Sequence, residues 1–319
     1  MAKKKGIDQL DLFVSDFTTW GPKSDKASLE HPFFTLSRRK DLTIKKYRSP
    51  DGRVSLEVTP SVKGAATIYD KDIIIYAITI LRDSINKQNL LECAAKPGAA
   101  PDDGQREVEV EIEETAVMLP KEGVADQPVK TESRPINIIA YNLLNAIERG
   151  TSGRAYKDLE EALDRLEGTS IKTNIPVGKG FICTESFHII EKVKIIREEV
   201  SNKMLSIQII LSDWLWTAAV EGNKDLLSIE REYFSLTGLE RRIYELCRKH
   251  CGYQSMWCIG IDKLYIKSGS NATLREFRRM VRDITEKGDK LPRYRISYDA
   301  EKDQLVAQSK VALDLKEKR

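Results

Sequence analysis

Four arginines within residues 271–287 are the side chains of this sequence best suited to bind nucleic acid. They are Arg275, Arg278, Arg279 and Arg282. On a helix that turns 100° per residue, these arginines and Asn271 fall within an arc of about 100°. Arginine forks suit guanine O6/N7 and phosphates, and an asparagine at the start of a helix suits adenine or a phosphate oxygen. The pattern predicts a helix that lies in a DNA groove, with Thr273 in the same first turn among its DNA-binding residues.

The opposite face of this segment is apolar. Five residues fall within an arc of about 120°, as expected of a helix that packs on a core. They are Leu274, Phe277, Met280, Val281 and Ile284. Glu286 lies on the basic face one turn further on, and contact with DNA is therefore expected to end by Arg282. The alternative is an ordinary solvated helix with ion pairs between residues four apart.

Charge is segregated along a chain that is almost neutral. The 319 residues include 52 basic and 49 acidic residues, a net charge of +3. Residues 271–295 hold eight basic and four acidic residues, whereas residues 102–122 hold eight acidic and two basic ones. Only the first stretch suits a phosphate partner, which predicts one basic surface and one acidic insertion.

Composition excludes several classes of protein. The chain is 41% hydrophobic and 32% charged, with a mean hydropathy of −0.41. No apolar run approaches the ~18 residues of a membrane span, and the start lacks the apolar stretch of a signal peptide. Five cysteines form an odd count without the spacing of a disulfide framework. These features predict a cytoplasmic protein with no membrane partner.

Residue patterns for metal binding or catalysis are weak. Cys247, His250, Cys251 and Cys258 suggest zinc, but Cys247 and His250 lie on different sides of a predicted helix, which favours core or free thiols. The sequence has no phosphate-binding Gly-x4-Gly-Lys-Ser/Thr motif, and Gly178-Lys-Gly180 is too short to replace it. The sequence therefore predicts a protein without enzymatic activity, metal or cofactor.

The basic helix belongs to a predicted unit over residues 227–319. The predicted order is a helix from Thr237 to about His250, a short strand at 257–259, a helix at 261–267, a turn at 268–270, the basic helix, and a hairpin. Arg293 and Arg295, two apart on the first hairpin strand, are expected to face the DNA backbone. This is the order of a winged helix-turn-helix domain.

A second copy of this order is predicted over residues 33–222, interrupted by a loop insertion at about 90–132. It comprises a hairpin around Pro50-Asp51-Gly52, a helix from about Asp70 to Asn86, helices at 135–149 and 154–167, and three strands near 170–176, 181–196 and 204–211. Residues 1–32 are predicted to be a flexible tail. The expected fold class is α+β, with two winged-helix domains in tandem after the tail.

The predicted helix at 154–167 is poorly suited to DNA. Glu160, Glu161 and Asp164 crowd its polar face, and only Arg154 and Lys157, near its start, are placed to contact phosphate. We expect the first unit to serve as a scaffold or dimer interface, with auxiliary DNA contact as the alternative.

The tail contains a short motif of its own. Gln9, Leu10, Asp11, Leu12 and Phe13 resemble the bacterial sliding-clamp-binding pentapeptide. Leu12 and Phe13 supply apolar anchors, while Gln9 offers an amide to a second subsite. The alternative is structural, because Leu10, Phe13, Val14 and Phe17 have helical spacing.

Five stretches of the chain resemble the replication initiator protein A family of bacterial plasmids. They are residues 31–40, 47–52, 67–76, 211–216 and 233–244. The resemblance spans roughly residues 30–310 and rests on signatures of fold. It implies an initiator that binds repeated double-stranded sites at a plasmid origin, helps open the adjacent A·T-rich DNA, and recruits host helicase and initiator proteins.

The resemblance also implies a monomer–dimer equilibrium, in which the dimer represses the initiator's own promoter. We expect the dimer contact to lie in the first domain. Two other functions stay open at this point. One is a winged-helix transcriptional regulator, and the other is a nicking enzyme, although no His-x-His pair for metal-dependent nicking is present.

Overall fold

A computed structural model describes residues 21–94, 135–174, 184–220, 225–252, 254–287 and 290–311. The sliding-clamp motif at 9–13 and most of the acidic insertion lie outside the described residues. The described chain is a mixture of α-helices and antiparallel sheets, which confirms the predicted α+β class. Among its helices, none has both the length and the apolar character needed to span a bilayer.

The elements follow one another in two groups. The first group is β1 (Lys23–Asp25), α1 (Lys26–Glu30), β2 (Lys45–Arg48), β3 (Ser55–Thr59), α2 (Lys71–Ala94), β4 (Ile136–Ile139), α3 (Ala140–Ala146), α4 (Gly153–Gly168), β5 (Ser170–Thr173), β6 (Glu185–His188), β7 (Ile190–Arg197), β8 (Met204–Leu211) and α5 (Asp213–Val220). The second group is β9 (Leu226–Ser228), a 3-10 turn (Arg231–Ser235), α6 (Gly238–His250), β10 (Met256–Gly260), α7 (Ile261–Ser268), α8 (Leu274–Glu286), β11 (Tyr294–Asp299) and β12 (Gln304–Ser309).

One arrangement of elements occurs twice. The N-terminal module consists of α2, β4, α3, α4, β7 and β8, and its three-stranded sheet has the order β4-β8-β7. The C-terminal module consists of α6, β10, α7, α8, β11 and β12, and its sheet has the order β10-β12-β11. In both modules the last helix packs against the first strand of the closing hairpin. The predicted repetition of one element order is therefore present.

The N-terminal module carries an additional sheet of order β2-β3-β5-β6. Its first hairpin turns at Gly52, whose φ of +73° suits glycine and whose N–H donates to the Ser49 carbonyl at 2.8 Å. This hairpin was predicted around Pro50-Asp51-Gly52, and the structure confirms it.

Local signals explain where α8 begins. The side-chain oxygen of Thr273 accepts a hydrogen bond from the Glu276 N–H, and Glu276 in turn accepts one from the Thr273 N–H at 3.0 Å. This capping box starts the helix at Leu274 rather than at Asn271 as predicted. Gly269, at φ +65°, ends the preceding helix α7.

Three predicted boundaries were wrong. Residues 135–149 are not one helix but β4 followed by α3, because Ile136 and Ile138 alternate into the core. The single strand expected at 181–196 is two strands, β6 and β7, in different sheets. The tail expected over 1–32 does not extend to its predicted end, since β1 pairs with β9 and Leu29 of α1 is fully buried.

Buried ion pairs join the two modules. Lys71 at the start of α2 lies 2.6 Å from Glu245 of α6, and the adjacent Asp72 lies 2.6 Å from Arg241. Arg242 contacts the other oxygen of Glu245 at 2.9 Å. These side chains are at most 3% exposed, and removing one partner would leave a charge buried alone. The first helices of the two modules are thereby held together.

Candidate nucleic-acid interface

The N-terminal half of α8 presents two exposed arginines to solvent. Phe277 and Val281 are fully buried and fix the rotation of the helix on its sheet. Arg275 and Arg279 are then exposed, and Arg279 lies 3.1 Å from Asp283 one turn further on. Within the described part of the chain, Arg275 has no ion-pair partner. These two arginines keep the orientation that the sequence predicts.

Arg278 does not face outward as predicted. Its guanidinium donates hydrogen bonds of 2.7 to 3.1 Å to both carboxylate oxygens of Asp303, which lies in the turn that precedes β12. Hydrogen bonds from Arg278 and from the Tyr298 hydroxyl hold the pKa of Asp303 below its ordinary value. Arg278 therefore ties the closing hairpin to α8 instead of being available to DNA.

Arg282 is also engaged within the protein. One of its nitrogens donates to the Tyr298 hydroxyl at 3.0 Å, and its guanidinium lies 4.6 Å from the centre of the Tyr298 ring. Arg282 nevertheless stays exposed, as predicted, and its guanidinium is at the same time held beside the Tyr298 ring. Together with Arg278 it fixes β11 beside the helix, which gives the helix and the hairpin one defined arrangement.

Thr273 and Asn271, the two predicted DNA-binding residues that precede α8, also have protein partners. Thr273 caps the helix through its bonds with Glu276. The Asn271 amide donates to Asp41 at 2.9 Å, across 230 residues of sequence. Partial burial raises the pKa of Asp41, but hydrogen bonds from the Thr43 N–H, Asn271 and Lys45 outweigh it and lower the pKa to about 2. Asn271 thus anchors α8 to the N-terminal region of the protein.

The two hairpin arginines do not share a strand face. Arg293 precedes β11 with a φ of +63° and lies 3.1 Å from Glu230, whereas Arg295 is on the strand and exposed. The expectation that both project together toward DNA is wrong for Arg293. Arg295 keeps its predicted place beside α8.

Helix α4 carries an acidic outer surface. Arg154 is exposed and lies 3.4 Å from Asp158, and Lys157 is exposed nearby. Glu160 pairs with Arg197 of β7 at 2.6 Å, and Asp164 lies 3.6 Å from Lys63. The two candidate phosphate contacts are thus accessible, but they belong to a surface with several carboxylates.

The cysteine and histidine candidates are dispersed. Cys247 and Cys251 are buried, and burial raises the pKa of both thiols. The His250 ring stacks on Trp257 and reaches Glu30 at 2.7 Å, while Cys258 is exposed. Across the residues that the structure describes, histidine, cysteine and carboxylate side chains nowhere gather into a metal-binding cluster.

One set of cations was missed by the sequence reasoning. Residues 37–48 contain six basic residues and one acidic residue, and the segment lies against the start of α8 through the Asp41–Asn271 bond. The charge count alone would have identified the segment. Its position next to α8 depends on contacts that are distant in sequence.

A duplicated helix–sheet module whose last helix exposes arginines is typical of proteins that bind DNA through a helix in the major groove. The sequence model of the family "Replication initiator protein A" matches residues 23–100 and 106–296, and the chain belongs to this family. The predicted resemblance is therefore confirmed.

A relative supports this assignment, and two solved structures share the fold. The chain is 33% identical over 295 residues to the "Putative replication protein" of Wigglesworthia glossinidia brevipalpis, covering 92% of this chain and 89% of the relative. Two crystal structures of domains 2 and 3 of RctB superpose with TM-scores of 0.57 and 0.51 at 13% identity. They cover 90% and 88% of this chain, and 98% and 97% of those chains, and indicate a shared fold.

Proposed function

We propose that this protein initiates plasmid replication by binding repeated double-stranded sites at the plasmid origin through its C-terminal module. Both modules are proposed to be winged-helix domains, with α8 as the reading helix and the β11–β12 hairpin as the wing. The protein acts through binding, without catalysis by its own side chains. Family membership supports the replication role, and the geometry of α8 supports the mode of DNA binding.

The observation that carries the proposal is the pair of exposed arginines on a rigidly held helix. Arg275 and Arg279 are one turn apart on the exposed face, while the core contacts of Phe277 and the Arg278–Asp303 bonds fix the helix and hairpin. Because the backbone that carries these arginines is already fixed, only their side chains lose conformational freedom on binding. Arg275 and Arg279 are proposed to read base edges, and the exposed Arg295 to contact the backbone.

Footprinting of the purified protein on its own plasmid tests the proposal most directly. Protected sites that repeat at a constant spacing next to A·T-rich DNA are the expected result. A single unrepeated site at a promoter would instead favour the transcriptional regulator. Supercoiled origin DNA incubated with divalent metal should stay uncut, which distinguishes the proposal from a nicking enzyme.

Single substitutions then separate base reading from general attraction. Arg275→Ala or Arg279→Ala is expected to weaken binding to the footprinted site by about 1–3 kcal/mol, with a smaller effect on random DNA. Lys194→Ala, on the exposed face of β7 in the other module, removes one equal charge and serves as the matched control. Equal losses on specific and random DNA would contradict base reading by α8.

The remaining steps of initiation are proposed on family membership. The protein is proposed to help open the origin, to recruit host helicase and initiator proteins, and to repress its own promoter as a dimer formed through the N-terminal module. Residues 9–13 are proposed to bind the host sliding clamp. Leu12→Ala with Phe13→Ala should abolish plasmid replication while origin binding is retained, and an unchanged copy number would contradict the clamp assignment.

A further inference from the structure

Residues 37–48, called here the basic segment, form a concentrated patch of positive charge on the N-terminal part of the protein. Six basic residues and one acidic residue give a net charge of +5 (6 − 1), against +3 for the whole chain. Such a segment attracts phosphates and repels acidic surfaces. Its cations are part of the same molecule as α8, and their position relative to α8 decides whether one ligand contacts both.

The basic segment lies against the start of α8. Asp41 accepts a hydrogen bond from Asn271, three residues before the helix begins, and it also contacts Lys45 at 3.1 Å. The Asp41 carbonyl accepts from the Ala65 N–H at 2.8 Å. Gly64, whose φ of +105° favours glycine, packs against the segment, and a Cβ added there would lie 3.1 Å from the Lys40 side chain. The segment is therefore held in place by both regions of the protein.

Asp41, the one acidic residue of the segment, is bound to Asn271 and Lys45, whereas several of the segment's cations have no carboxylate partner among the described residues. Arg39 and Lys40 are exposed and have no carboxylate partner within the described residues. Arg38 is exposed and stacks 4.0 Å from the centre of the Tyr69 ring. Lys46 is 79% exposed and lies only 3.5 Å from Glu57 in solvent, where such pairs contribute little. The segment thus presents positive charge next to the helix whose arginines are also exposed.

We propose that the basic segment is a second DNA-binding element, which contacts backbone phosphates beside the groove that α8 enters. This inference rests on the proposed function of α8 and assigns new contacts to Arg39 and Lys40. The N-terminal region would then contact DNA through the basic segment and not through the acidic surface of α4. The Asp41–Asn271 bond sets the two elements at a fixed spacing.

Duplex DNA and an acidic peptide are both possible ligands for a basic segment. Duplex DNA is favoured because the basic segment and α8 form one continuous surface. The segment adjoins the α8 N-terminus, so one extended ligand with regularly spaced charges reaches both. Phosphate contacts of this kind add affinity for any sequence and do not discriminate between bases. The expected signature is therefore an equal loss of affinity for specific and random DNA.

The test is the salt dependence of DNA binding by the full chain. Arg39→Ala with Lys40→Ala is compared with Lys192→Ala with Lys194→Ala, which removes the same charge from exposed positions on β7. The probes are a duplex of random sequence and a fragment of the plasmid's own origin. The slope of log K against log salt is negative, and each lost phosphate contact reduces its magnitude by about 0.9, so that two lost contacts reduce it by about 1.8. Affinity for both probes should fall by about tenfold or more at 0.1 M salt, while the β7 variant should match wild type.

Two outcomes would overturn the inference, and they differ. If Arg275→Ala weakens binding but the Arg39→Ala, Lys40→Ala variant keeps the wild-type slope, then α8 binds DNA and the basic segment does not. If the wild-type protein binds neither duplex, the proposed function itself fails, and this inference fails with it. Unchanged melting temperatures are expected for both double variants because all four side chains are exposed.

Discussion

Helices α4 and α8 occupy equivalent places in the two modules and differ chiefly in the charge of their outer faces. Each follows a strand and a short helix, and each packs against the first strand of its closing hairpin. The buried pair Leu159 and Leu163 of α4 corresponds in spacing and burial to Phe277 and Val281 of α8. The helices can therefore be aligned on the residues that face the core.

In this alignment, three of the four arginine positions of α8 are occupied by carboxylates in α4. The positions of Arg275, Arg278, Arg279 and Arg282 are held in α4 by Lys157, Glu160, Glu161 and Asp164. Each module also has an ion pair between this helix and its closing hairpin, but the acidic and basic partners are exchanged between the two modules. Glu160 pairs with Arg197 in the N-terminal module, and Arg278 pairs with Asp303 in the C-terminal module. Burial fixes the scaffold in both modules, and the exposed charges differ between a basic surface on α8 and an acidic one on α4.

The largest expected effects come from the buried positions that the two helices share. Phe277→Ala should lower the free energy of unfolding by about 3–5 kcal/mol and Leu159→Ala by about 2–5 kcal/mol, because each leaves a cavity in a closed core. Urea unfolding measures both. A cost below about 1 kcal/mol for either would break the equivalence of the two helices.

The ionic junction that holds the two modules together should be almost as sensitive. Burial raises the pKa of Glu245, but Lys71 and Arg242 outweigh it and hold the pKa below its usual 4.5. Glu245→Gln leaves two buried cations without their carboxylate and should cost about 3–5 kcal/mol at pH 7. Circular dichroism melting curves of the wild-type and variant proteins measure this loss.

The sign of the pH dependence follows from the lowered pKa of Glu245. A carboxyl with a lower pKa in the folded state stabilises the protein above its unfolded pKa, and this contribution is lost as pH falls below about 4.5. The wild-type melting temperature should therefore drop more steeply on acidification than that of Glu245→Gln. Parallel curves would show that the junction does not depend on the charge of Glu245.

Helix capping should separate the two helices at a smaller scale. In α8, Thr273 and Glu276 form a reciprocal capping box, whereas in α4 Ser152 accepts one bond from the Ala155 N–H at 3.4 Å. Thr273→Ala is expected to lower stability by about 1–2 kcal/mol and Ser152→Ala by about 0.5 kcal/mol. Thermal unfolding of the two variants checks the order, and a larger loss at Ser152 would reverse it.

The smallest effects are expected at the exposed cations of α4. Arg154→Ala with Lys157→Ala should change both unfolding and DNA affinity by less than about 0.5 kcal/mol, since Arg154 pairs only in solvent and Glu160 and Glu161 follow Lys157 by one helical turn. Binding titrations at two salt concentrations measure this. A reduction of about 1.8 in the magnitude of the salt slope would instead make α4 a DNA-binding helix.

Local sequence patterns predicted much of the C-terminal module. The capping box at Thr237, the apolar face of α8, the turn at Gly269 and the closing hairpin all lie where their patterns indicate. These features depend on residues a few positions apart, and their energies are decided within one or two helical turns. Strand β4 was missed because Pro135 gives a local helix-start signal, while its pairing with β8 depends on residues about 70 positions away.

The candidate site was predicted less completely than the fold. Arg275, Arg279, Arg282 and Arg295 keep their predicted exposure. Arg278 and Arg293 are half-buried and pair with carboxylates, while Arg282 and Asn271 form hydrogen bonds with Tyr298 and Asp41. Helical periodicity places all the arginines on one face but gives no information on which of them meets a carboxylate. The partners Asp303, Tyr298, Glu230 and Asp41 come from other elements, two of them from outside the closing hairpin.

The sequence by itself determined the two faces of α8 and the order of elements in the C-terminal module, because amphipathic period and capping are local properties of the chain. Its signature stretches determined membership of the initiator family. Only the tertiary structure decided which cations stay exposed and that the basic segment adjoins α8. Ion pairs and hydrogen bonds form where folding brings a donor and an acceptor within about 3 Å of each other. That proximity, as between Asn271 and Asp41, is a consequence of packing the whole chain.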